Sequence, residues 1–481
     1  MLSLDEYARH DGLGLAELVR RREVTPRELV DTALTATRKL NPKINAVLQL
    51  LEKESAAEIE AGLPDGPFRG VPFALKELVI HAKGVRLDMG SRLAQGLTFP
   101  HDSELMARFR RAGLVTVGTT QTPEFGYNPT TETVLHGPVR NPWNPAHSAG
   151  GSSGGSGAAV AAGIFPLAHA NDGGGSIRIP ASCNGLVGLK PTRDRIPTGP
   201  DASDPLLGLT IEFAVTKSVR DAAALLDAVA GPDVGAPGFI APPERPFAQA
   251  LHARPRRLRI AFTTHTPFGA RVDPACEAAV QRTAKLLADL GHELVEAAPA
   301  YDWAAFVDSQ HVIWTAGTAW WIYGMSRLLG REPSAENLEA VTLDCWEAGR
   351  RWTALELLAA QQHCNDVSRS VGAFFVEHEL LLTPTLARPP VRLGEIDQNR
   401  SGLGARAWLE SLLPYLPFTP LFNVTGQPAI SLPLHWTDGG LPIGVQLAGR
   451  MGAEATLLGV AAQLEEAAPW AGRRPPIHVA A

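Results

Sequence analysis

Three groups that together could cleave an acyl bond stand out in this chain: Lys76 within G-V-P-F-A-L-K-E-L-V, Ser152 within G-G-S-S-G-G-S, and Ser176 within N-D-G-G-G-S-I-R-I-P-A-S. Flanking glycines let backbone N–H groups approach a ligand closely, and each turn would carry a small hydroxyl at its tip. A serine hydroxyl is too weak an acid to attack a carbonyl unaided, so it needs a base. Lys76 offers one, because burial of an uncompensated ammonium favours the neutral amine. To act near pH 7, its ordinary pKa of about 10.4 must fall by about 2 to 3 units. A lone lysine of this kind more often snorkels or pairs with a neighbour such as Glu77. Beside two serine turns, a Ser–Lys nucleophile–base arrangement is the preferred reading.

The serine turns admit other readings. By composition alone, G-G-S-S-G-G-S is a flexible Gly/Ser linker, yet it leads straight into G-A-A-V-A-A-G-I-F-P-L-A, which must be buried. The same letters match G-x-S-x-G, the nucleophile elbow of α/β-hydrolases, with Ser152 or Ser153 central. That elbow requires a preceding strand, and the upstream N-P-W-N-P-A-H-S-A-G is turn-rich. No G-K-[ST] follows, which argues against a phosphate-binding loop.

The elements that must position these groups alternate. Thr25 before Pro26 starts a helix that N-P-K-I-N closes, and a further helix covers 49–61. Short apolar runs suited to buried strands follow from about 66, then a helix over 103–112 and a strand through G-L-V-T-V-G-T-T-Q. A-A-V-A-A-G-I-F-P-L-A-H-A repeats that order, as do R-L-R-I-A-F-T-T and the helix over 274–290. Such alternation favours an α/β fold with a largely buried sheet. Residues 300–375 read instead as long helices rich in tryptophan, and 383–405 reads as loop.

Composition sets the outer limits. With 45% hydrophobic and 20% charged residues, the chain can bury a large core. A net charge of -6 without a long Lys/Arg run gives no footprint for nucleic acid. Cys183, Cys276, Cys345 and Cys364 are widely spaced, which argues against a disulfide framework or a zinc site and suits a reducing cytoplasm. No signal peptide and no run of about 18 apolar residues is evident, so no membrane association is expected.

Taken in order, G-V-P-F-A-L-K-E, G-G-S-S-G-G-S, N-D-G-G-G-S-I-R-I-P-A-S and G-L-V-G-L-K-P-T resemble the amidase signature family, together with T-P-E-F-G, N-P-W-N-P and F-N-V-T-G-Q-P-A-I-S-L-P. The resemblance covers nearly the whole chain. It implies an α/β amidase-signature fold with a large mixed central sheet covered by helices on both faces. One domain would span 1–481, with N-terminal helices over 1–65, a catalytic core over 66–300 and 415–481, and a helical, Trp-rich cleft lining over 300–400. It also implies amide hydrolysis through an acyl-enzyme. Residue by residue, Ser176 matches the nucleophile, Ser152 the serine after a cis peptide bond, and Lys76 the base. Gly173, Gly174, Gly175 and Ser176 match the oxyanion turn. Supporting roles are expected for Ser153 as a donor to Lys76, Asp172 as a brace of the turn and Arg178 as an anchor.

The chain has N-D-G-G-G-S where the family usually has T-D-T-G-G-S, and in this it is similar to the branch of 6-aminohexanoate cyclic-dimer hydrolases. The expected substrate is a small-molecule amide, an apolar or aryl acylamide or a nylon-type oligoamide, with carbamates and esters as further candidates. Asn171, Trp314, Trp320 and Trp321 are the expected substrate-binding residues. No metal or organic cofactor is required, and a cytoplasmic monomer or homodimer is expected. Two alternatives stand beside this reading: a glutaminase-type amidotransferase subunit dependent on a tRNA-binding partner, and an α/β-hydrolase using Ser153.

Overall fold

The apolar runs become eleven strands of a single mixed sheet in the computed structural model, which describes residues 2–202, 204–252 and 256–481. In chain order these are β1 (Val47–Leu50), β2 (Pro72–Lys76), β3 (Val115–Thr120), β4 (Leu167–Asp172), β5 (Val187–Lys190), β6 (Ile211–Thr216), β7 (Arg259–Phe262), β8 (Glu293–Glu296), β9 (Leu380–Pro384), β10 (Ala429–Trp436) and β11 (Pro442–Gly449). Their spatial order is β1-β3-β2-β4-β6-β5-β10-β11-β9-β7-β8. β3, β2 and β4 run parallel, as do β9, β7 and β8, while the strands between them pair antiparallel. This is the expected α/β class with a large mixed sheet.

The central strands lack the in–out alternation of a half-exposed sheet. Every residue of β2, β3, β4, β5, β6, β9 and β11 is buried, as a sheet enclosed by helices demands. Local signals set several boundaries. Thr25 caps the helix Pro26–Ile44 through a capping box, and Asn45 closes it in the left-handed conformation. Ser103 caps the helix Glu104–Arg111. The helix expected over 49–61 begins only at Glu52, because positions 47–50 pair with β3 at the sheet edge. The Trp-rich region forms the helices Trp303–Leu329, Ala340–Gly349 and Ala354–Glu377, followed by β9. Among the described residues, no helix is long and apolar enough to cross a membrane.

Candidate active site

β2 delivers its last residue, Lys76, to a point where no part of the side chain reaches solvent. Its Nζ lies 2.7 Å from Ser152 Oγ and 2.5 Å from Asn171 Oδ1. The Asn171 Nδ2 donates to the Leu78 carbonyl at 3.2 Å, which turns the amide oxygen toward the lysine. Burial drives the Lys76 pKa down to about 7, against the opposing pull of the Glu212 and Asp172 carboxylates. A strand-end lysine poised between amine and ammonium is thus a product of its enclosure.

Beneath the lysine sits a second buried pair that the sequence reading did not single out. The main-chain N–H of Lys76 donates to His169 Nδ1 at 3.3 Å, so the ring proton belongs on Nε2, which lies 2.8 Å from Glu212 Oε2. Both side chains are fully buried. Antiparallel pairing of β4 with β6 sets Glu212 opposite Asn171, which brings the carboxylate into this layer. The available signal was a polar residue interrupting each of two apolar strands, L-A-H-A-N-D and I-E-F-A-V-T.

The Gly/Ser block is neither a linker nor an elbow. The Gly151–Ser152 peptide bond is cis, as the family resemblance implies. Ser153 stands at the start of the helix Gly154–Ala161, every residue of which is buried. A Cβ on Gly155 would lie 2.4 Å from the Gln121 backbone nitrogen, so only glycine allows this helix to pack against the end of β3. Ser153 departs from its expected role: its buried hydroxyl donates to the Asn171 carbonyl at 3.3 Å rather than to Lys76. Full burial also leaves it out of a substrate's reach, against the α/β-hydrolase alternative.

The turn after β4 is held from below. Arg178 forks onto Asp172, with Nε donating to Oδ2 at 2.9 Å and Nη2 to Oδ1 at 2.8 Å, both side chains fully buried. The remaining Arg178 donors reach the Thr419 carbonyl, Gln446 Oε1 and Asn423 Oδ1. Burial would raise the Asp172 carboxyl, but the Arg178 guanidinium, aided by Lys190 and the Asn423 amide, more than reverses this and holds it at about 2. Asp172 in turn accepts the Gly175 N–H at 2.7 Å and the Ile177 N–H at 3.2 Å. Gly175 takes a φ of +137°, and a Cβ there would meet Thr419 Oγ1 at 2.5 Å. One expected oxyanion donor is therefore spoken for. With the Gly175 N–H on Asp172, the amides of Gly173, Gly174 and Ser176 are the remaining members of the expected set.

Ser176 is 8% exposed and opens onto a cavity of about 510 Å³, solvent-facing space included, whose walls are mostly apolar. Trp314 forms one wall and stacks on Tyr127 with ring centroids 4.8 Å apart. Leu409, Leu412 and Leu416 close another side. Gln310 is 2% exposed and lines this cavity, and neither polar atom of its amide has a hydrogen-bond partner among the described residues. The sequence reading missed it, since one glutamine in a long helix carries no signal. Of the expected substrate residues, only Trp314 lines this space. Asn171 is turned to Lys76 and Leu78 instead. Trp320 and Trp321 line a different cavity beside Val79, His81 and Phe99: Trp320, 68% exposed, projects from another side of the long helix, and Trp321 sits about two turns beyond Trp314 along it.

The profile of the family described as Amidase matches residues 28–458. The chain is 41% identical to a 6-aminohexanoate-cyclic-dimer hydrolase of Paenarthrobacter ureafaciens over 480 residues, covering 97% of this chain and 96% of that one. It superposes on the solved structure of a 6-aminohexanoate cyclic dimer hydrolase complexed with substrate at a TM-score of 0.93 and 38% identity, covering 98% and 99% of the two chains. A bacterial aryl acylamidase of the amidase signature enzymes matches at a TM-score of 0.85 and 26% identity, covering 96% and 99%.

Proposed function

Because this chain belongs to the amidase signature family and is an amide-hydrolysing enzyme by that membership, we propose that Ser176 is its nucleophile, Ser152 its proton relay and Lys76 its base. The observation that carries this reading is the contact of a fully buried lysine amine with Ser152 Oγ at 2.7 Å, at a pKa near 7. Ser176 attacks the amide carbonyl while its proton passes to Ser152, which passes its own to Lys76. The N–H groups of Gly173, Gly174 and Ser176 stabilise the oxyanion, each donor contributing about 3 to 4 kcal/mol in comparable hydrolases. The relay then runs backward to protonate the departing amine, and water repeats the cycle on the acyl-enzyme. Asp172 and Arg178 act as positioning residues beneath the turn.

The apolar walls favour a substrate with an extended hydrocarbon or aryl portion, and the solitary Gln310 amide supplies one place for a second amide group to bond. A nylon-type oligoamide meets both demands; an aryl acylamide meets the first. This reading makes the chain a self-sufficient cytoplasmic enzyme, working as a single amidase-signature unit on a small molecule. Incubation with a fluorophosphonate, followed by peptide mapping, is expected to label Ser176. Turnover of linear and cyclic aminohexanoate oligomers and of anilides should exceed that of small charged amides. Labelling at Ser153, or a preference for small charged amides, would overturn the assignment.

A further inference from the structure

Outside the catalytic cavity, three metal-ligating side chains distant in sequence converge on one point. Asp201 Oδ2 lies 3.2 Å from His81 Nε2 and 2.8 Å from His101 Nε2. All three donor atoms fall within 4.8 Å of one another. Separations near 3.3 Å are what tetrahedral coordination at bond lengths of about 2.0 to 2.2 Å produces, so little movement separates this geometry from a coordinated one.

The state of His81 points the same way. Its ring is 2% exposed, and its Nδ1 faces the Val79 carbonyl at 3.3 Å, an acceptor for a ring proton on that nitrogen. With the proton on Nδ1, Nε2 presents a lone pair. Among the described residues it has no hydrogen-bond partner, although a carboxylate oxygen sits beside it. A lone pair against a carboxylate is repulsive unless a proton or a metal ion lies between them, and the site is built to hold either. Phe99 stacks on the same ring at 3.9 Å and holds its orientation.

The three ligands are also held in place by a common support. The Ser103 N–H and hydroxyl both donate to the His81 carbonyl, and Ser103 caps the helix that follows His101. The next residue, Glu104, donates its N–H to the Gly199 carbonyl at 2.9 Å, two positions before Asp201. Gly199 is fixed again by donating to Asp233 Oδ2 at 2.9 Å. One helix start therefore positions all three donors, the kind of rigid support a metal site needs.

We propose that His81, His101 and Asp201 bind one divalent transition-metal ion of the zinc type, clipping the segment around Asp201 to the start of the helix Glu104–Arg111. Two imidazoles and a carboxylate suit zinc, cobalt or nickel rather than magnesium or calcium. On binding, His101 moves its Nε2 proton to the partly exposed Nδ1 and turns the freed lone pair to the ion. Water fills the fourth position from the adjoining cavity, which shares no lining residue with the Ser176 cavity. The ion's role is structural, because none of its ligands belongs to the hydrolytic machinery.

The test uses untagged full-length protein, stripped with a chelator and titrated with zinc or cobalt chloride by calorimetry. One ion per chain should bind, with magnesium failing to compete. His101→Ala and Asp201→Asn remove partly exposed ligands and should each weaken binding at least about 10-fold. One equivalent of zinc should raise the thermal midpoint of the unsubstituted protein and not that of His101→Ala. No saturable binding, equal affinity in both variants, or a magnesium preference would overturn the proposal. Amide hydrolysis in either variant should match the parent, so a failure here leaves the catalytic reading intact.

Discussion

Beneath the Ser176 cavity, Asp172, Arg178, Asn423 and Gln446 form a buried polar lattice in which each charge meets its counterpart; above it, the helix Trp303–Leu329 contributes an aromatic wall and an amide without a partner. The lower layer satisfies its own groups and leaves little freedom, so damage there strikes turnover or folding. The upper layer leaves one polar group for a ligand to satisfy, so change there should alter which ligand fits.

The largest effect should come from the proposed catalytic groups themselves. Ser176→Ala and Lys76→Met are expected to reduce kcat/KM by about 10⁴-fold or more with far-UV circular dichroism unchanged. Arg178→Met strands a buried carboxylate and should lower stability by about 3–5 kcal/mol in urea unfolding. Lys76→Met should do the reverse, raising stability by about 1–3 kcal/mol, because it removes a cation-forming group from a dry site. The sign follows from proton counting. With a folded pKa of about 7 against an ordinary 10.5, the unfolded chain holds the extra proton between those values, so parent stability rises with pH across that window. Lys76→Met should flatten the slope. A flat parent profile would break the contrast.

Catalysis reports on the same group. The amine must be neutral to accept a proton, so kcat/KM should climb as pH passes through about 7. Glu212 favours the charged form, and Glu212→Gln should move this limb to lower pH by about one unit with both profiles otherwise parallel. A limb that stays put would show that His169 and Glu212 serve packing alone. In the upper layer, Trp314→Ala should raise KM about 10-fold for aryl or oligoamide substrates and less for small ones. Trp320→Ala, in the other cavity, should change neither constant by more than about twofold. Equal effects at both tryptophans would erase the distinction between the two helix sides.

Legibility in the sequence follows the same division. Lys76, Ser152 and Ser176 were readable because glycine-rich turns and a lysine in an apolar run are unusual at every scale of pattern. Even so, residue type alone did not isolate Lys76: Lys190 is equally buried in β5, yet its amine donates to the Pro191 carbonyl rather than to a serine. The alternating helices and strands announced the α/β class, but the strand order, with β3 between β1 and β2, depends on pairings hundreds of atoms apart and leaves no local trace. Tryptophan spacing failed at Trp320 and Trp321, since along a 27-residue helix the first points to another side and the second, though i+7 from Trp314, lies about two turns away. His169–Glu212 and the His81, His101 and Asp201 cluster are invisible for a related reason: their members meet only after folding.

The amide of Asn171 accepts from Lys76 and, through its other end, donates to a main-chain oxygen at Leu78. An amide neither gains nor loses protons near neutrality, so it can fix one hydrogen of the amine and leave the nitrogen's electron pair for Ser152 alone. In the proposed relay, this gives proton traffic a single lane and a direction. The signpost is anchored to backbone, which no side-chain replacement at position 78 can delete.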